Sequence, residues 1–103
     1  MAPFLEIRER RAGDELILSL TGELDRASAD ELVGRLSREI HSGARVVLDL
    51  SGLAFIDPSG VAALRRAAAW AAQDGWTLAI AGAPEPVRRV FRLTRADAVL
   101  PLS

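Results

Sequence analysis

Residues 45–61 read RVVLDLSGLAFIDPSGV, and the way this stretch divides decides the fold. Arg45 to Leu50 is a near-continuous apolar run of strand length, which predicts a strand covered on both faces, as is usual in parallel pairing. The segment FIDPSGV, 55–61, reads as a junction from which a helix runs over about 58–73, closed by Asp74-Gly75. Asp57 suits an N-cap, because its carboxylate can accept from the backbone N–H of Ser59 or Gly60. Pro58 then takes the first helical position, where its fixed φ fits and its missing N–H costs nothing. Gly60 has no side chain, so another backbone can approach it closely.

The pattern extends outward in both directions. Leu5 and Ile7 alternate with Glu6 and Arg8 as in a half-exposed strand. Residues 11–14, Arg-Ala-Gly-Asp, supply a turn. Leu16, Leu18 and Leu20 alternate with Ile17 and Ser19 as a second strand, which TGELD, 21–25, breaks. A helix is expected over roughly 28–41. Its Ser28 and Glu31 have capping-box spacing, Leu32, Leu36 and Ile40 form a buried stripe, and Gly43 ends it. Beyond the junction helix lie a strand over 77–81 and a helix over 84–94 with Val87, Val90 and Phe91 inward. Val99 to Leu102 is a candidate short last strand. Strands alternating with helices after an opening hairpin predict one α/β domain over residues 1–103, with a mixed sheet of four to five strands and about three helices.

Composition limits the functions open to such a domain. Net charge is −1, so a general nucleic-acid or membrane-surface role has no electrostatic support. There is no cysteine, which excludes disulfide and thiol chemistry. The single histidine, His41, cannot build a metal site alone, and it is also too far in sequence from Ser59 to suggest a Ser–His–Asp triad. No phosphate-cradling GxxxxGK[ST] is present. Asp49 and Asp57 prompt a comparison with receiver domains, but those need a late lysine and all 13 basic residues here are arginine. No apolar run approaches the about 18 residues of a membrane span, and no basic-then-apolar leader is visible at the N-terminus. The expectation is a cytoplasmic, non-enzymatic protein without metal or cofactor.

Two surfaces stand out. At 100° per residue, Val61, Leu64, Ala68 and Ala71 share one face of the junction helix, the expected core stripe. Ser59, Ala63, Arg66 and Trp70 project to the opposite face. Trp70 is read either as an interface anchor, a role in which tryptophan and arginine are enriched, or as a side chain packed beneath a neighbouring helix. Arg88, Arg89, Arg92 and Arg95 project outward from the third helix, either to contact an acidic partner or as a solvated face. Asp25, Asp49 and Asp57 could lie near one another at strand ends, although such residues often cap turns and helices.

Three segments carry a family resemblance. TGELD (21–25), VVLDLSGLAFID (46–57) with SGVAAL (59–64), and VRRVFRLTRADAVLPL (87–102) resemble the STAS domain, found in sulphate transporters and anti-sigma factor antagonists. The likeness runs from about residue 5 to 102. It implies a mixed sheet opened by a β-hairpin. It also implies a stand-alone antagonist that binds an anti-sigma factor, often a serine kinase, and so frees a sigma factor for transcription. In that family the kinase phosphorylates a Ser or Thr directly after the aspartate at the start of the central helix. The added charge, about −1.5 to −2, breaks the complex.

Here Pro58 occupies that position, Asp57 and Gly60 match the family pattern, and Ser59 fills the next slot. The resemblance leaves three outcomes open: partner binding without phospho-control, Ser59 as a substitute acceptor, or a branch of the family doing other work. The partner surface it implies comprises Asp25, Asp57, Pro58, Ser59, Gly60, Ala63, Arg66 and Trp70. In its short length and its ending at the stretch matching AVLPL (98–102), the chain also resembles the small STAS subunit of the bacterial phospholipid-transport ABC complex. The alternative partner is therefore an ABC transporter ATPase.

Overall fold

The computed structural model describes residues 5–103. Two strands, β1 (Leu5–Ala12) and β2 (Glu15–Leu24), form the opening hairpin around Gly13. Helix α1 (Ala29–Glu39), strand β3 (Arg45–Ile56), helix α2 (Pro58–Asp74), strand β4 (Thr77–Ala81) and helix α3 (Glu85–Leu93) follow, then a 3₁₀ turn over Ala96–Ala98. The sheet order is β1-β2-β3-β4, with β1 antiparallel to β2 and β2, β3 and β4 mutually parallel. The expected mixed sheet, hairpin opening and three helices are all present.

Strand parity shows where the core lies. Leu16, Leu18 and Leu20 of β2, Val46, Leu48 and Leu50 of β3, and Leu78 and Ile80 of β4 are buried, whereas Ile17, Val47 and Ala79 are only half-buried. The expectation that β3 would be covered on both faces is therefore corrected. The crossovers β2-α1-β3 and β3-α2-β4 advance across the sheet in the same direction. Right-handed connections then place both helices on one side. On that side α1 reaches the hairpin edge, where Glu9 and Arg11, in register with Leu18 and Leu16, pair with Arg35 (3.0 Å) and Glu39 (3.4 Å).

Several boundaries differ from the sequence reading. TGEL does not break β2, which runs to Leu24 through two register shifts against β3. Strand β3 likewise runs past Leu50 to Ile56. Gly52 makes this possible, because a Cβ there would lie 2.8 Å from Thr21 Oγ1 and 3.1 Å from the Leu20 carbonyl. In α1 the capping box does not form: Ser28 makes no side-chain cap and its hydroxyl is engaged elsewhere. Leu32 and Leu36 are buried as expected, while Ile40, just past the helix, is half-buried. In α3 Val87 and Phe91 are buried and Val90 is half-buried. The expected last strand shrinks to a single bridge of Leu102 with Ile80.

Candidate functional site

The parallel pair β2 and β3 ends in register at Leu24 and Ile56, so Asp25 and Asp57 emerge side by side. The Asp57 N–H donates to the Leu24 carbonyl at 3.2 Å, which ties the start of α2 to the end of β2. The Asp57 carboxylate accepts from the Gly60 N–H at 2.9 Å, the N-cap expected from the sequence. Pro58 is exposed in the first helical turn, Ser59 is half-buried and Gly60 is buried. Gly60 is fixed by space: a Cβ would collide with the Leu24 carbonyl and lie 2.8 Å from Ile56 Cγ1.

Asp25 organises the adjacent loop. Its Oδ1 accepts from the N–H of Ala27 (3.0 Å) and of Ser28 (3.1 Å). The Ser28 hydroxyl accepts from the Asp25 N–H at 2.9 Å and donates toward the Glu23 carbonyl (2.9 Å) and Asp25 Oδ1 (3.0 Å). This bonding takes the Ser28 side chain away from the capping role predicted for it. Asp49 sits earlier on β3, where its Oδ1 accepts from the Ser51 N–H, so it does not join Asp25 and Asp57.

Further along α2 the expected outward face is only partly realised. Gly60, Val61, Ala63, Leu64, Ala67 and Ala71 are buried. At 100° per residue they span an arc of about 160°, wider than the predicted stripe and turned toward Ala63. Ala63, at 1% exposure, is therefore an interior residue, not part of a docking face, and buried Gly60 likewise presents no side of its own. Ser59, Arg66 and Trp70 border the buried arc. Trp70 packs edge-on against Trp76 (centroids 5.2 Å, 83°) and donates from Nε1 to Asp74 Oδ2 at 2.8 Å. With Arg66 and Ala67 it faces Val33, Leu36 and Ser37 of α1 across a groove of about 270 Å³. Trp70 is thus packed and still half-exposed.

The predicted residues accordingly fall into two groups along α2. Asp25, Asp57, Pro58 and Ser59 sit at its start. Arg66 and Trp70 lie on the α1 side, Trp70 about 16 Å further along the axis at 1.5 Å per residue. One neighbour was missed: Phe55, 48% exposed and in register with Glu23. Strand alternation contains the signal for it, since Ile56 points inward and the preceding residue must point out. Among the described residues no group of three or more His, Cys, Asp or Glu is placed to hold a metal ion. His41 lies with Arg45 at the opposite end of β3 from Ser59. No described helix is long and apolar enough to cross a membrane.

The fold is shared with known proteins. A family model described as MlaB, STAS domain matches residues 7–101. Among solved structures, a candidate anti-sigma factor antagonist from Thermotoga maritima superposes with TM-score 0.80 at 20% identity, over 93% of this chain and 84% of that one. An anti-sigma factor antagonist from Mycobacterium paratuberculosis gives TM-score 0.75 at 24% identity, over 98% and 87%. An antisigma-factor antagonist STAS domain from Rhodobacter sphaeroides gives 0.64 at 25% identity, over 82% and 96%. No curated protein sequence matches this one.

Proposed function

The chain belongs to the STAS domain family, and from that premise we propose that it is a cytoplasmic anti-sigma factor antagonist. In this reading it acts without catalysis, by binding an anti-sigma factor or serine kinase through the start of α2 and the flank that follows. The observation that carries the reading is the α2 start itself. Asp57 caps the helix, Gly60 lets it sit directly on the end of β2, and exposed Pro58 and half-buried Ser59 form its first turn at the sheet end where Asp25 also emerges. The solved antagonists of the same fold support it.

The proline shapes the mechanism. Pro58 has no hydroxyl, so the position directly after the aspartate accepts no phosphate. Ser59 is turned by 100° from that position and is half-buried. Either Ser59 carries the control, with the α2 N-terminus stabilising its phosphate, or the surface stays permanently competent to bind.

A second reading is a STAS accessory subunit bound to the ATPase of a phospholipid-transport ABC complex. The description of the matching family model, MlaB, supports it. Affinity capture on the purified chain, with the bound protein identified by mass spectrometry, separates the two. An anti-sigma factor supports the first reading, an ABC ATPase the second, and neither sinks both. Trp70→Ala and Arg66→Glu should each weaken capture at least about fivefold, on the order of 1 kcal/mol as for a moderate interface residue. Unchanged capture by both variants removes that flank from the interface.

A further inference from the structure

We propose that the outward face of α3, together with the turn after it, is a second docking surface that takes an acidic, partly apolar segment of another protein. It goes beyond the reading above, since it uses neither Ser59 nor the α1 flank of α2. Val87 and Phe91 fix α3 to the core, which turns Arg88, Arg89, Arg92 and Leu93 to solvent. Leu93 is 73% exposed, more than any other large hydrophobic side chain among the described residues. It borders a shallow depression with Pro86, Arg89 and Arg92.

Charge identifies the occupant. Between residues 85 and 98 four arginines stand against Glu85 and Asp97. Arg88 (3.0 Å) and Arg92 both hold Glu85, and the Arg92 guanidinium keeps that carboxyl below its ordinary range. This face therefore already clamps one carboxylate between two guanidinium groups. Arg89 and Arg95 make no ion pair among the described residues, and they flank Leu93 in sequence.

Arg95 adds an independent observation. It is the one described non-glycine residue with positive φ (60°), and it follows the C-cap Thr94, where glycine is the usual choice. Arg65 holds this turn by donating to the Thr94 carbonyl at 2.8 Å. A long cation thus occupies a position that backbone energetics would give to glycine. Arginine's planar fork suits carboxylates, while a net charge of −1 gives no general attraction to an anionic membrane. A protein segment bearing Glu or Asp beside Leu or Val fits this face better than a lipid surface does.

The test is a titration of the ¹⁵N-labelled chain with a synthetic Glu/Leu amphipathic peptide, its Lys/Leu counterpart, and phosphatidylglycerol vesicles. The Glu/Leu peptide should shift the amides of Arg89, Leu93 and Arg95. Its affinity should fall about tenfold between low and moderate salt, because exposed pairs are screened. Arg89→Glu and Leu93→Ser should each weaken it at least about fivefold. Arg95→Gly should weaken it while raising the melting temperature, so lost folding cannot explain the loss. Ser59→Asp should leave it unchanged, which separates this surface from the α2 site. The proposal is overturned by absent shifts on α3, by shifts confined to the α1–α2 groove, by equal binding of the Lys/Leu peptide, or by binding of vesicles alone.

Discussion

Gly60 lies so close to the carbonyl of Leu24 that the two backbones are in contact where α2 meets the end of β2. A methyl group at Gly60 would strike that oxygen, a backbone atom held in the β2–β3 ladder, and also Ile56. Gly60→Ala should therefore lower stability by about 2–3 kcal/mol, a fall of roughly 10–20 °C in melting temperature for a domain of this size. Differential scanning calorimetry reads this directly. A drop of only a degree or two would mean that the helix start can move, and the site with it.

The Asp25–Ser28 loop is expected to behave as one unit. Ser28 is 4% exposed, and Ser28→Ala removes the partner of the Asp25 N–H. That change should cost about 1–3 kcal/mol, the penalty of an unpaired buried polar group. Asp25→Ala leaves the Ala27 N–H without its acceptor and the Ser28 N–H with only the residue-25 carbonyl, 3.2 Å away. Because the two residues share hydrogen bonds, the double variant should cost less than the two single changes added together. A urea-denaturation cycle showing strict additivity would contradict the network.

The N-cap separates charge from hydrogen bonding. Asp57→Ala should cost about 1 kcal/mol and Asp57→Asn much less, since asparagine caps equally well. If the α2 start is the partner surface, Asp57→Asn should still weaken partner capture, because it removes a charge without disturbing the helix. Equal behaviour of both variants in melting experiments would show that the Gly60 N–H finds another acceptor.

Phosphorylation offers a site-specific check. With a cognate kinase and ATP, phosphate should appear on Ser59 or on no residue. Ser28 is buried and its hydroxyl is already bonded. Tandem mass spectrometry placing phosphate on Ser28 or Thr21 would defeat the Ser59 assignment.

Acid should act on two surface clamps. The hydrogen bond from Arg35 holds the Glu9 carboxyl below its ordinary value of 4.5, and the one from Arg92 does the same for Glu85. Both groups have a lower pKa folded than unfolded, so their contribution is complete above about pH 4.5 and is lost as pH falls through the lowered values. Glu9→Gln and Glu85→Gln together should flatten the melting-temperature profile below pH 4.5. An unchanged acid limb would show that the pairs exert no pull in solution.

Much of this architecture is legible in the chain because its signals are local. Asp57-Pro58 marks the start of α2 by capping chemistry that needs no tertiary partner, and Asp74-Gly75 closes it with Gly75 at positive φ. What the sequence hides depends on contacts made elsewhere. Gly22 and Gly52 look like strand breakers, yet they are where β2 and β3 press together through a register shift. Ser28 has the spacing of a capping residue, but Asp25 captures its hydroxyl. Ala63 projects outward from a core stripe of Val61, Leu64, Ala68 and Ala71, and it becomes interior because the buried arc of α2 is wider and turned toward it. The start of the candidate site was therefore readable, whereas its mid-helix portion required the packing of α1 on α2.

The bridge at the end of the chain has a consequence for the molecule's solubility. Ile80 donates to the Pro101 carbonyl and accepts from the Ser103 N–H, both at 2.9 Å, on the side of β4 that no other strand occupies. Strand β4 is only five residues long, and these few terminal residues act as a lid on its outer rim. Open sheet rims recruit strands from other molecules and seed aggregates. Pro101, which has no N–H to offer, helps make the covering segment a poor template for further growth. The same residues that add almost nothing to the core thus cover the Ile80 position of the β4 rim.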